Sequence, residues 1–141
     1  MRSDKKNIQV LKNLIRQNPK DYKAYLKIGD IYKKYNNFNG AIQAYQRAVK
    51  IKPNNEISLN GLGEALWKAK RFSEALHQFK SALKVNPKYA NAHLNLGRAF
   101  GLVNDKANAI AHTRYAAKLF RKNRDTDGET KAREYLKKLY K

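Results

Sequence analysis

The sequence predicts an all-α protein built from stacked helical hairpins. Three observations indicate this fold class: a period of 34 residues, two apolar stripes at helical spacing within each period, and turns rich in asparagine or proline between the stripes. The chain has 141 residues and no cysteine, so its core must form without disulfides. We expect a single domain over residues 1–141, with about eight helices.

The period appears in several columns of the sequence at once. Four columns recur every 34 residues: Pro19, Pro53 and Pro87; Gly29, Gly63 and Gly97; Ala41, Ala75 and Ala109; Ala48, Ala82 and Ala116. Agreement among this many columns is not expected by chance. Residues 22–55, 56–89 and 90–123 are therefore predicted as three repeats.

Each repeat contains two amphipathic helices. In the first repeat, Tyr25, Ile28, Gly29 and Tyr32 lie on one stripe, and a second stripe begins at Ala41 after an asparagine turn. The small residues at positions 29 and 41 are expected to let the paired helices approach closely.

A helix is also predicted on each side of the repeats. Residues 4–17 form an N-terminal capping helix, and residues 127–140 form a C-terminal capping helix opened by a capping box from Thr126 to Glu129. Such helices cover the exposed ends of a solenoid. The apolar residues expected to face inward are Ile8, Leu11, Leu14, Ile15, Ala132, Leu136 and Leu139.

These columns resemble the tetratricopeptide repeat (TPR) family, whose pattern is an aromatic, then Leu-Gly, Tyr, Ala, Phe, Ala and Pro at fixed offsets. The second repeat matches with Leu59, Leu62, Gly63, Leu66, Ala75, Phe79, Ala82 and Pro87. The third departs from the pattern at His93, Thr113 and Arg121. The resemblance covers about 100 of 141 residues and implies a right-handed superhelical solenoid of helix-turn-helix repeats that serves as a binding scaffold.

The first helix of each repeat is expected to line a concave groove that binds an extended or helical, acidic peptide. Asparagine amides can pair with a ligand main chain, apolar side chains supply contact area, and cations favour an acidic ligand. The alternative to a binding groove is that these residues form ordinary helix faces exposed to solvent. The predicted groove residues are Lys23, Leu26, Lys27, Asp30, Lys34, Asn60, Glu64, Trp67, Lys68, Asn91, Leu94, Asn95 and Arg98.

One activity of the family is not carried over by this resemblance. Some members hold the C-terminal carboxylate of heat-shock chaperones in a Lys-Asn-Asn-Lys-Arg clamp. Here Leu26 and Asp30 stand where the first Lys and Asn would be, and Gly61 replaces the central Asn.

A strong positive charge leaves a second kind of partner open. The formal net charge is +20, which favours attraction to acidic proteins, nucleic acid or anionic lipid. The second helices carry a basic ladder on the convex side. Its functional interpretation is electrostatic binding of nucleic acid or an anionic membrane surface, and its alternative is a solubilising face. The ladder residues are Lys50, Lys80, Lys84, Arg114 and Lys118.

No catalytic, cofactor or metal site is predicted. The histidines are His77, His93 and His112, on different helices, and His93 occupies a core column. The Gly61–Gly63 pair lacks the strand and third glycine of a dinucleotide loop. Residues 125–128 begin like a calcium loop without its later glutamate.

The remaining expectations concern location and assembly. Neither a signal peptide nor an apolar run long enough to span a bilayer is apparent, so we expect a cytoplasmic protein. Self-association is a further possibility, because solenoid ends can stack on one another.

Overall fold

The computed structural model describes residues 2–141, and most of them lie in α-helices. Within this range there are eight helices and no strand. The helices are α1 (Arg2–Gln17), α2 (Tyr22–Lys34), α3 (Phe38–Ile51), α4 (Glu56–Lys68), α5 (Phe72–Val85), α6 (Ala90–Leu102), α7 (Lys106–Lys122) and α8 (Thr126–Leu139).

The N-termini of five helices, α2, α3, α4, α7 and α8, are capped by asparagine or aspartate side chains. The side chain of Asn37 accepts a hydrogen bond from a backbone amide in the first turn of α3, and that of Asn55 does the same for α4. The predicted capping box at Thr126 is wrong by one residue. Asp125 is the N-cap of α8, and its Oδ1 accepts from the Gly128 amide at 2.9 Å. Its carboxylate also interacts favourably with the positive end of the helix dipole.

The turn inside each repeat contains one residue whose backbone is in the left-handed conformation. Asn36, Lys70 and Asn104 have φ values of 60°, 65° and 60° and follow the same period of 34 residues. Asparagine adopts this conformation more readily than other non-glycine residues, which accounts for two of the three positions. The repeat therefore extends to the backbone conformation of the turns.

The chain divides into two compact units. The first ends at Gln78 and the second is Phe79–Lys141, so the division falls within α5. The assignment of residues 1–141 to a single domain, with its internal repeat boundaries, stays a prediction.

The core of the first unit is organised around Tyr45. This side chain is fully buried in the hairpin of α2 and α3, which packs against α4. A Cβ atom added at Gly29 or at Gly61 would lie 2.8 Å from the Tyr45 ring. Glycine is thus needed on both neighbouring helices, and the expected close approach at Gly29 is confirmed.

The helix α1 packs against α2 through part of its predicted stripe. Leu11 is buried in a cluster with Ala24, Ile28 and Ala44, which α1, α2 and α3 contribute. Leu14, in contrast, is 44% exposed, so its assignment to the inward face is wrong. Its position on the helix turns it away from this cluster and toward an open groove.

The second unit packs α6, α7 and α8 together. Its apolar cluster includes Ala90 from α6, Phe120 from α7 and Ala132 from α8. Thr113 replaces the aromatic residue of the other repeats and is fully buried beside Gly97. Its Oγ1 atom has no hydrogen-bond partner among residues 2–141. The departure from the repeat pattern therefore leaves α7 packed but introduces an unsatisfied hydroxyl.

Candidate functional site

An open groove of about 530 Å³ runs between α1 and α2 in the first unit. We call it the α1–α2 groove. Two of the predicted groove residues, Lys27 and Asp30, line it from α2. The other lining residues were not predicted as site residues: Asp4, Asn7, Val10, Leu11, Leu14 and Ile31.

Apolar side chains of α1 are exposed along this groove. Val10 is 53% exposed and Leu14 is 44% exposed, while the neighbouring Ile31 is partly buried. A contiguous apolar strip next to polar residues is typical of a surface that a partner covers. The sequence pattern did not indicate this strip, because the apolar stripe of α1 predicted only a helix that covers the first repeat. The signal that could have found it was Val10, an apolar residue outside the predicted inward stripe.

The two carboxylates at the groove already have partners. Asp30 accepts a hydrogen bond from the Tyr45 hydroxyl, and Asp4 accepts from the Tyr35 hydroxyl and from Lys34 Nζ at 3.3 Å. Burial, together with the bond to Asp30, raises the pKa of Tyr45. The hydrogen bond from Tyr35 lowers the pKa of Asp4. Asp4 therefore remains ionised near neutral pH, and both carboxylates are held in place by their hydrogen bonds.

The cations on the same face of α2 are less engaged. Lys23 and Lys27 are exposed, lie one helical turn apart, and form no ion pair within residues 2–141. Lys34, also a predicted groove residue, is paired with Asp4. An anionic group of a ligand would thus meet Lys23 or Lys27 rather than Lys34.

An ion pair links α2 to α4 beside Tyr45. Lys33 Nζ lies 2.9 Å from Glu64 Oε1, and the same ammonium is 5.9 Å from the centroid of the Tyr45 ring. Glu64 was predicted to face a ligand. Its carboxylate instead neutralises Lys33, which makes it part of the scaffold of this unit.

Two residues that were predicted to line the groove are buried, so their assignment to a ligand-binding surface is wrong. Leu94 is 4% exposed and belongs to the apolar cluster of the second unit, so it is a core residue. Asn60 is also 4% exposed and interacts with another residue of the chain. A side chain at this level of burial has almost no surface to offer a ligand. The assumption that every such column faces solvent was wrong at both positions.

Trp67 is half-buried rather than a free anchor. The edge of its ring packs on Phe72, with the ring centroids 4.6 Å apart. This matches the alternative in which Trp67 packs beside the turn after α4. Leu26 is likewise half-buried, whereas Lys68 is exposed.

The remaining predicted groove residues lie on α6 in the second unit. Asn91 and Arg98 are exposed, and Asn95 is half-buried and interacts with another residue. Burial raises the pKa of the nearby Tyr135, while the charge of Arg98 acts in the opposite direction. Arg98 is therefore close enough to α8 to influence a tyrosine there.

The ladder residues are all exposed. Lys50 belongs to the first unit, and Lys80, Lys84, Arg114 and Lys118 belong to the second. Arg114 is the engaged member, because its guanidinium donates a hydrogen bond to the hydroxyl of Tyr140.

Two histidines treated separately in the sequence meet in the second unit. His93 Nδ1 lies 3.1 Å from His112 Nδ1, and His93 Nε2 lies 2.8 Å from the carbonyl oxygen of Pro87. A carbonyl only accepts, so His93 carries its proton on Nε2 and His112 donates from Nδ1. Burial, and then the charge of His93, lower the pKa of His112. Their separation in sequence follows no helical period, so no pattern pointed to this pair.

Across residues 2–141, no group of three or more histidine, aspartate or glutamate side chains converges as metal ligands. In the same range, no helix has both the length and the apolar character that crossing a bilayer requires.

Comparisons with known proteins agree with the helical repeats. Residues 29–70 match a family model described as TPR repeat, and residues 60–124 match one described as tetratricopeptide repeat. No curated protein matches the chain.

Three solved structures show the same fold at low sequence identity. The TPR2B-domain:pHsp70 complex of yeast Sti1 has a TM-score of 0.77 and 18% identity, covering 84% of this chain and 95% of that one. The Arabidopsis OM64 TPR domain has a TM-score of 0.71 and 21% identity, covering 83% and 94%. MamA has a TM-score of 0.70 and 19% identity, covering 94% and 84%. The all-α TPR solenoid fold predicted from the sequence is confirmed.

Proposed function

The chain belongs to the tetratricopeptide repeat family, and from this premise we propose that it is a scaffold that binds an extended or helical, acidic peptide segment of a partner protein. TPR domains generally mediate protein–protein interaction and are typically non-catalytic. The partner segment binds in the concave groove, and we place it along the α1–α2 groove of the first unit.

The observation that carries this proposal is the exposed apolar strip on α1. Val10 and Leu14 are large apolar side chains at the rim of a groove of about 530 Å³. Covering them with an apolar side chain of a ligand removes that surface from water and stabilises the complex. The fixed carboxylates at Asp4 and Asp30 mark the polar edges of the strip.

The acidic character of the ligand is supported by Lys23 and Lys27. Both side chains are exposed on α2, where Lys27 lines the groove and Lys23 lies one helical turn before it, and neither forms an ion pair within residues 2–141. A ligand carboxylate placed between them forms charge-assisted hydrogen bonds. A segment with one apolar anchor followed by an acidic residue fits this arrangement.

The comparison with yeast Sti1 supports the kind of partner but not its identity. That domain was solved in complex with pHsp70. At 18% identity the likeness establishes the fold alone. We therefore propose a protein partner of unspecified identity and, with the absence of cysteine in view, a cytoplasmic location.

A matched pair of substitutions tests the groove. Val10→Asp places a charge in the apolar strip, whereas Val103→Asp makes the same change at a valine that is 72% exposed and lies after α6, outside the groove. Proteins captured from host lysate by each variant would be compared by quantitative mass spectrometry. Titration calorimetry with a peptide from the captured partner would then follow.

We expect Val10→Asp to weaken binding at least about tenfold, because a desolvated apolar anchor is replaced by a charge, and Val103→Asp to bind like the unchanged protein. Equal binding by both variants would contradict a groove site. A different outcome would favour the alternative function, in which the convex ladder binds nucleic acid or an anionic membrane. In that case binding is lost when Lys80, Lys84 and Lys118 are changed to Gln, and Val10→Asp leaves binding unchanged.

A further inference from the structure

A second cleft of about 410 Å³ lies in the first unit, between α1 and α3 and above α2. We call it the α1–α3 cleft. Lys12 and Arg16 form one wall and Arg47 stands on the other. Tyr25 and Tyr32, both half-buried, belong to the floor. Neither the groove nor the ladder described above contains any of these five residues.

The packing of the three helices explains why the cleft is open. Among the described residues, α1 and α3 each pack against α2 and not against one another. The face of α2 that lines the cleft also differs from the face that lines the α1–α2 groove. On α2, Tyr25 and Tyr32 line the cleft, whereas Lys27 and Asp30 line the groove. Ligands could therefore occupy the two depressions independently.

The positive charge of the cleft is not compensated. No acidic residue lines it, and its cations form no ion pair within residues 2–141. Lys50 extends the same positive surface along α3, next to Arg47. The carboxylates of this unit that have an assigned bond are engaged elsewhere: Asp4, Asp21, Asp30, Glu64 and Glu74. An anionic ligand from outside the chain would therefore meet cations whose charge no carboxylate lining the cleft offsets.

The shape and the spacing of the cleft match a helix rather than an extended strand. Gly40 and Ala44 lie one turn apart on the α3 wall, and such small residues let another backbone approach closely. Lys12 and Arg16 are also one turn apart, so acidic residues at the same spacing on a bound helix meet both. Tyr25 and Tyr32 offer that helix an apolar floor.

Charge and burial exclude two other occupants. A second copy of this chain carries a net charge of +20 and would be repelled by the walls. Single-stranded nucleic acid is bound by aromatic rings that present an open face for stacking, whereas both tyrosines here are half-buried beneath the walls.

We propose that the α1–α3 cleft is a docking site for an acidic amphipathic helix of a partner protein. The apolar face of that helix packs on Tyr25 and Tyr32, and its glutamate or aspartate side chains pair with Lys12, Arg16 and Arg47. This site does not depend on peptide binding in the α1–α2 groove.

The test uses a synthetic probe and the full chain. The probe is a fluorescent peptide of about 18 residues, or five helical turns, with leucines on one stripe and glutamates on both flanks. A scrambled peptide of equal composition and a labelled oligouridylate serve as comparison ligands. Binding is measured by fluorescence anisotropy for the unchanged protein, for Arg16→Glu with Arg47→Glu, and for Lys80→Glu with Lys118→Glu.

The two double variants lower the net charge equally, so they separate a local site from general attraction. We expect the amphipathic probe to bind, the Arg16 and Arg47 variant to weaken it at least about tenfold, and the Lys80 and Lys118 variant to change it less than about twofold. Val10→Asp should leave binding of this probe unchanged. Circular dichroism melts establish that each variant is folded, and Arg16→Gln with Arg47→Gln replaces the charge reversal if it is not.

Four results would overturn the proposal. Equal weakening by both double variants, or equal binding of the scrambled peptide, would reduce it to general electrostatics. Tighter binding of oligouridylate with the same dependence on Arg16 and Arg47 would assign the cleft to nucleic acid. Loss of the probe on Val10→Asp would place the helix in the α1–α2 groove instead.

Discussion

Thr113→Val should stabilise the protein, because the Thr113 hydroxyl is buried without a partner. The side chain is fully buried in α7, and its Oγ1 atom makes no hydrogen bond with any residue of the described range 2–141. Valine has nearly the same shape and the same branching at Cβ, so it fills the site without a new rotamer. The substitution removes the desolvated hydroxyl and leaves the packing as it is.

The size of the effect follows from the cost of the unpaired hydroxyl. Burying such a group without a hydrogen bond costs about 1–3 kcal/mol, and part of that is recovered when valine replaces it. We expect a gain of about 1–2 kcal/mol in the free energy of unfolding, and a melting temperature higher by roughly 3–6 °C for a chain of this size. Helix propensities of the two residues are too similar to change this result.

Urea unfolding followed by circular dichroism measures the change, with Thr113→Ser as the matched control. Serine keeps the hydroxyl and deletes the methyl group, so it should lower the free energy of unfolding by about 1 kcal/mol. The expected order of stability is valine, threonine, serine. A valine variant less stable than the unchanged protein would show that the hydroxyl has a partner, such as a carbonyl one turn earlier, and would refute the reasoning.

Three further perturbations test other parts of the fold. Since burial and His93 lower the pKa of His112 below 6.5, stability should be full above that pH and fall as the pH drops through the lowered value, and calorimetric melts of His112→Asn should lack this loss. Gly61→Ala should lower the free energy of unfolding in urea by about 1–3 kcal/mol, because the new Cβ would lie 2.8 Å from Tyr45. Asp125→Ala should cost about 1 kcal/mol in the same assay by removing the N-cap of α8, and an unchanged midpoint would contradict that role.

The helical repeats could be predicted because the same local sequence signals occur in each repeat. A glycine, an alanine and a left-handed turn residue recur with the period, and some of the local signals have a direct steric or capping cause in the structure. Gly29 admits the Tyr45 ring, and Asn55 caps α4. Repetition of independent local signals is what made the helices readable from one sequence.

The candidate site was less predictable because exposure is decided by neighbours that are distant in sequence. Asn60 and Leu94 sit in columns that face a groove in a generic solenoid, yet both are buried here. The contribution of α1 to the α1–α2 groove depends on how this flanking helix packs. Because α1 lies outside the three repeats, the repeat pattern does not predict that packing. The His93–His112 pair likewise arises from contact between helices, without a local pattern.

Salt dependence should separate the two surfaces of the first unit. Raising the salt from about 0.1 M to about 1 M shortens the Debye length from about 10 Å to about 3 Å, which weakens attraction between exposed charges. Binding in the α1–α3 cleft relies on Lys12, Arg16 and Arg47, so it should weaken steeply as salt is raised. Binding in the α1–α2 groove combines one acidic contact at Lys23 and Lys27 with burial of Val10 and Leu14, and burial of apolar surface is not screened, so this binding should weaken less steeply. Equal salt slopes for a groove peptide and the acidic helix, measured by anisotropy over this range, would mean that one electrostatic surface binds both.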